Sequence, residues 1–137
     1  MNPAMSTPAP SATSLGKETI LVVDDEPYIR KLVSLVLTKK GYTVLLAKDG
    51  PEALSLCEQH RGPIRVALLD LLMPGMNGLE LWQKLLPLRP GLRVLFMSDS
   101  TIVQGAFGDH GGLDFLPKPF TAEALTARLR ELLPPRR

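Results

Sequence analysis

Four short, almost wholly apolar runs punctuate the chain: TILVV (19–23), YTVLL (42–46), RVALL (65–69) and LRVLFM (92–97). Each has the length of a strand and is built from Val, Leu and other apolar residues, the composition of strands buried on both faces. The stretches between them carry a different period. In PYIRKLVSLVLTKKG (27–41), Ile29, Leu32, Val33, Val36 and Leu37 fall on one helical stripe, with Pro27 suited to the first turn and Gly41 to the stop. A second helix is predicted after Asp49 and Gly50, with Pro51 in its first turn, running through EALSLCEQH. A third is predicted from Asn77 to Leu86, ended by Pro87 and Pro90. The last, TAEALTARLRELL, has Thr121 placed to cap it and Leu125, Leu129 and Leu132 as its apolar stripe.

Strands alternating with helices predict a parallel sheet covered on both faces, joined by right-handed crossovers. With DFL (114–116) as a fifth strand, the fold class is α/β, a single-domain, doubly wound five-stranded parallel sheet of flavodoxin type. The fourth helical segment, TIVQGAFGDHGG (101–112), holds Gly105, Gly108, Gly111 and Gly112. Each interior glycine costs a helix roughly 1 kcal/mol against alanine, so this segment is predicted to be short or irregular.

At 137 residues there is room for one domain with a proper core and not for two ordinary ones. We expect a domain over 18–133, a disordered Pro-, Ser- and Ala-rich tail at 1–17, and a short tail at 134–137. The N-terminal stretch lacks the charged and apolar regions of a signal peptide, and no apolar run reaches membrane-spanning length, so a cytoplasmic protein without membrane contact is expected. A net charge of +2 implies no nucleic-acid-binding surface. Cys57 is the single cysteine, which excludes an intramolecular disulfide and a multi-cysteine metal site. Cys57, His60 and His110 have no partners at metal or catalytic spacing, and Trp82 reads as a packing residue.

In an open parallel sheet, ligands bind outside the carboxyl ends of the strands, where the strand order reverses. The first strand ends in Asp24, Asp25 and Glu26, the third in Asp70, the fourth in Ser98 and Asp99, and the fifth is followed by Pro117, Lys118 and Pro119. Two carboxylates about 4 Å apart repel by roughly 4 kcal/mol at an effective dielectric of 20, so Asp24, Asp25 and Asp70 on one rim require protons or a cation. Oxygen-only donors without His or Cys select Mg²⁺ or Mn²⁺, ions that also take phosphate oxygens. A carboxylate can itself be the nucleophile, forming an aspartyl-phosphate. Lys118 and the Ser98 hydroxyl are then placed to hold phosphoryl oxygens, which is most of what phosphoryl transfer asks of a protein.

Over Glu18 to Leu133 the chain resembles the receiver domain of two-component response regulators, through ILVVDDEP, LLDLLMPGMNG, VLFMS and FLPKPF in that order. The resemblance implies a phosphoacceptor at Asp70, a metal-binding pair at Asp24 and Asp25, and a Mg²⁺ ligand in the backbone carbonyl of Leu72. It further implies a switch hydroxyl at Ser98, the family lysine at Lys118, a rotating aromatic at Phe115 and a cis Lys118–Pro119 bond. The implied donor is a phosphohistidine on a sensor kinase or histidine phosphotransfer protein, and the implied output is an unknown downstream protein reached when the new charge of about −1.5 to −2 draws in the hydroxyl. Self-catalysed phosphorylation and dephosphorylation are implied, with no separate substrate. LRPGLRVLFMS followed by an irregular helix is more similar to receivers of hybrid histidine kinases than to those of transcription factors.

Three positions depart from the family pattern. Asp99 stands where a small residue is usual, which predicts slower phosphorylation; the fourth helical segment is shorter than the norm; and Phe115 lacks the hydroxyl of the common tyrosine. Two other functions compete. A phosphorylation-independent interaction module would use the fold alone. A phosphatase of haloacid dehalogenase type would need a second acid two residues after its nucleophile, where this chain has Leu72.

Overall fold

The structure, a computed structural model, describes residues 18–99 and 114–133. The two expected tails and the glycine-rich segment 101–112 lie outside the described residues. Chain order runs β1 (Thr19–Val23), α1 (Pro27–Lys39), β2 (Thr43–Ala47), α2 (Gly50–Gln59), β3 (Val66–Asp70), α3 (Gly78–Leu88), β4 (Arg93–Ser98), β5 (Asp114–Pro117) and α4 (Ala122–Leu132).

All strand pairs are parallel, in the order β2-β1-β3-β4-β5. The chain steps outward from β1 to β2, then returns across β1 to β3. The order therefore reverses between β1 and β3, and the crevice at their carboxyl ends is where the topology opens a binding site. Side chains alternate across the sheet with the strand period of two. Leu21, Val23, Leu69 and Phe96 pack with Ala53, Cys57, Leu81 and Leu85 of α2 and α3 on one face. Ile20, Val22, Leu68, Leu95 and Met97 pack with Val33, Leu37, Leu125 and Leu129 of α1 and α4 on the other. Every residue of β3 is buried, which explains why its sequence is a continuous apolar run up to Asp70.

The helices start on local chemistry. Asp49 caps α2 by accepting from the Glu52 N–H, Thr121 caps α4 by accepting from the Ala124 N–H, and Asn77 forms a reciprocal capping box with Glu80 on α3. One boundary differs from expectation: α3 runs to Leu88, with Pro87 inside it. Proline there removes only the bond to the carbonyl four residues back, and the final turn still closes through the Arg89 N–H on the Leu85 carbonyl at 2.9 Å. The strands β2, β3 and β4 each end one residue later than their apolar runs suggest. As a consequence Asp70 and Ser98 are the last residues of their strands and inherit the rigidity of the sheet.

Candidate functional site

Asp24 follows β1 directly and is wholly buried. Its Oδ1 accepts from the Glu26 N–H at 2.9 Å, and its main-chain carbonyl accepts from the Arg30 guanidinium at 2.6 Å. Asp70 closes β3 with 4% of its surface exposed, and its Oδ1 accepts from the Leu72 N–H at 3.3 Å. Asp25 is exposed beside them. One oxygen from each of Asp24, Asp25 and Asp70 lies within 4.8 Å of the others.

Lys118 enters from the end of β5. Its backbone N–H donates to the Ser98 carbonyl at 2.9 Å, and the Lys118–Pro119 peptide is cis. Its ammonium donates to Asp24 Oδ2 at 2.7 Å and lies 3.4 Å from Glu26 Oε1 and 3.7 Å from Asp70 Oδ2. Ser98, buried at the end of β4, stands one step beyond the Asp70–Met97 pair in the sheet register. Phe115 is half-buried in β5 against the layer that holds Phe96, and Asp99 is exposed next to Ser98. Leu72 lies two residues past the end of β3 and is 54% exposed.

Burial without enough positive charge dominates the electrostatics. It pushes the Asp70 carboxyl up to about 7, helped by the Asp24 charge and a hydrogen bond with Asp25, and opposed by Lys118 and the Leu72 N–H. Burial also raises Asp24 above the usual carboxylate range, against the hydrogen bonds from Lys118 and the Glu26 N–H. For Lys118 burial pulls downward, but the Asp24 hydrogen bond and the charges of Asp24, Asp70 and Glu26 outweigh it and its ammonium is held above the ordinary lysine value. Three clustered acids facing one ammonium leave an excess of negative charge. A hard divalent cation such as Mg²⁺ fits this oxygen donor set.

Two neighbours received no role from the sequence. Glu26 sits beside the aspartate pair in DDEP and reaches Lys118. Gly78, the first residue of α3, presses on the end of β3: a Cβ there would lie 2.6 Å from the Asp70 carbonyl oxygen and 2.9 Å from Leu71 Cα. Only the adjacency in DDEP could have flagged the first, and nothing local flags the second.

A family profile described as the response regulator receiver domain matches residues 20–130. The chain belongs to the response regulator receiver family. A curated relative, the probable transcriptional regulatory protein TcrX of Mycobacterium tuberculosis, is 38% identical over 117 residues, covering 84% of this chain and 49% of TcrX. The chain thus spans about half the length of the curated relatives it matches. Among solved structures, the response regulator TrrA of Thermotoga maritima in complex with Mg²⁺–BeF is similar with a TM-score of 0.73 and 28% identity, covering 85% of this chain and 99% of that one. The receiver domain of the hybrid histidine kinase CckA is similar with a TM-score of 0.66 and 34% identity, again over 85% and 99%. As a receiver, the chain is a signalling module with an acidic pocket. Among the described residues no helix is long and apolar enough to cross a membrane.

Proposed function

We propose that this receiver accepts a phosphoryl group from the phosphohistidine of a sensor kinase or histidine phosphotransfer protein onto the Asp70 carboxylate, as a stand-alone response regulator or a relay. The observation that carries this reading is the placement of the Lys118 ammonium, 2.7 Å from Asp24 and 3.7 Å from Asp70, within one rim that also gathers Asp25.

In the transfer, an Asp70 carboxylate oxygen forms the new P–O bond as the donor's P–N bond breaks and its electron pair leaves with the imidazole. Bound Mg²⁺ or Mn²⁺, held by Asp24, Asp25, Asp70 and the Leu72 carbonyl, would supply neutralisation of the phosphoryl charge. Lys118 pairs with a phosphoryl oxygen, Ser98 donates its hydroxyl to another, and Phe115 repacks as that hydroxyl moves. No separate substrate is turned over. The partners in this reading are proteins on both sides of the relay, without nucleic acid, and the setting is cytoplasmic.

Incubation with Mg²⁺ and a small phosphodonor tests the proposal: the wild type gains the mass of one phosphoryl group and Asp70→Asn gains none. An unmodified wild type after prolonged incubation contradicts it. Asp99, an extra exposed acid beside Ser98, favours a second reading in which the fold binds a partner without phosphorylation. That reading requires partner binding to persist in Asp70→Asn and without Mg²⁺.

A further inference from the structure

Of the four described helices, three have an N-cap side chain bonded to their own first turn, through Asp49, Asn77 and Thr121. Glu26, the N-cap of α1, makes no such bond. Its carboxylate turns instead to Lys118, with Oε1 3.4 Å from Nζ, although its side chain is 60% exposed and has water as an alternative partner.

The ammonium has three N–H donors. Asp24, wholly buried, takes one at 2.7 Å, and Glu26 lies within reach of another. Asp70 Oδ2, at 3.7 Å, is beyond a hydrogen bond. To meet a phosphoryl oxygen carried on Asp70, Lys118 must lean from the α1 side of the pocket toward β3. Asp24 is fixed by burial and by the Glu26 N–H, whereas the exposed Glu26 side chain is the contact that can be released.

We propose that Glu26 is a positioning residue that restrains Lys118 on the Asp24 side of the pocket and yields it when Asp70 is loaded, so that it slows phosphorylation. This inference rests on the phosphoacceptor reading of Asp70. The restraint depends on contact, not on charge alone. Glu26→Gln removes the charge, while Glu26→Asp keeps the charge on a side chain one methylene shorter.

Initial rates of Asp70 phosphorylation by a small phosphodonor with Mg²⁺, followed by intact mass, separate the possibilities. Both variants are expected to load about two- to fivefold faster than the wild type, the kinetic equivalent of one exposed ion pair. Salt screens the exposed ion pair as well as through-space repulsion of an anionic donor, so the deciding readout is Glu26→Asp, which keeps the charge and shortens the reach. Unchanged or slower loading in both variants overturns the proposal. So does a gain confined to Glu26→Gln, because charge without contact would explain it. A wild type that takes no phosphate defeats the parent reading as well, and that result is distinct from a labelled wild type with indifferent Glu26 variants.

Discussion

Asp24 and Lys118, 94 residues apart in the chain, meet in a 2.7 Å ion pair in which the carboxylate is wholly buried and the lysine side chain is 9% exposed. The pair bridges the ends of β1 and β5 across the carboxyl rim of the sheet. Removing one partner of a buried pair typically costs about 3–5 kcal/mol because the other charge is left uncompensated. Lys118→Met is therefore expected to lower the melting temperature in metal-free buffer at neutral pH, and Mg²⁺ is expected to recover part of the loss by neutralising the same acids. Calorimetric melts with and without Mg²⁺ check this.

The raised Asp70 carboxyl makes the metal-free fold depend on pH. Its folded value of about 7 exceeds the ordinary 3.8, so the native state holds the proton more tightly than the unfolded chain does. That contribution to stability is fully present below the ordinary value and is lost as pH rises through about 7. Asp70→Asn, which has no such proton to lose, is expected to melt about 4 °C or more above the wild type at neutral pH without metal, with the gap closing toward pH 4. Mg²⁺ affinity of the wild type is expected to weaken as pH falls below about 7, where the proton competes for Asp70. Titration calorimetry across this range measures it.

Asp99 adds an exposed negative charge next to Ser98 at the rim that an anionic phosphodonor must approach. Asp99→Ala is expected to accelerate phosphorylation by a small phosphodonor roughly two- to fivefold at low ionic strength, with the advantage shrinking as salt screens the charge. Rates measured over a salt series check this.

Arg89 acts far from the chemistry. Its guanidinium donates to the carbonyls of Cys57, His60 and Gly62 at 2.9, 2.7 and 2.7 Å, tying the end of α3 to the end of α2. Arg89→Ala is expected to destabilise the fold by about 1.5–3 kcal/mol, as charged hydrogen bonds to carbonyls do. Denaturant unfolding reads the loss, while the rate of Asp70 phosphorylation at 25 °C in the folded variant stays at the wild-type value.

The strands, the sheet and the meeting of Asp24, Asp25, Asp70 and Lys118 were legible in the sequence because they follow from one rule. Apolar runs buried on both faces carry whatever follows them to a common rim. Relationships with no local period were not legible. Pro87 reads as a helix stop, yet α3 passes through it because the lost bond falls in the last turn. Nothing local marks Arg89, and only the packing of α2 against α3 brings it to the carbonyls it binds, 27 to 32 residues away. Nothing local marks Gly78 either, and its necessity arises from the approach of α3 to the backbone of Asp70. Glu26 was legible as a rim acid at the end of the first strand, but its contact with Lys118 depends on where β5 delivers that lysine.

Acyl phosphates are reduced by borohydride to a primary alcohol, which converts a phosphorylated aspartate to homoserine. The wild type, incubated with Mg²⁺ and a small phosphodonor, reduced and sequenced by tandem mass spectrometry, is predicted to carry homoserine at position 70 alone. Homoserine at Asp24, Asp25 or Asp99, or its absence from position 70, would contradict the assignment of Asp70 as the phosphoacceptor.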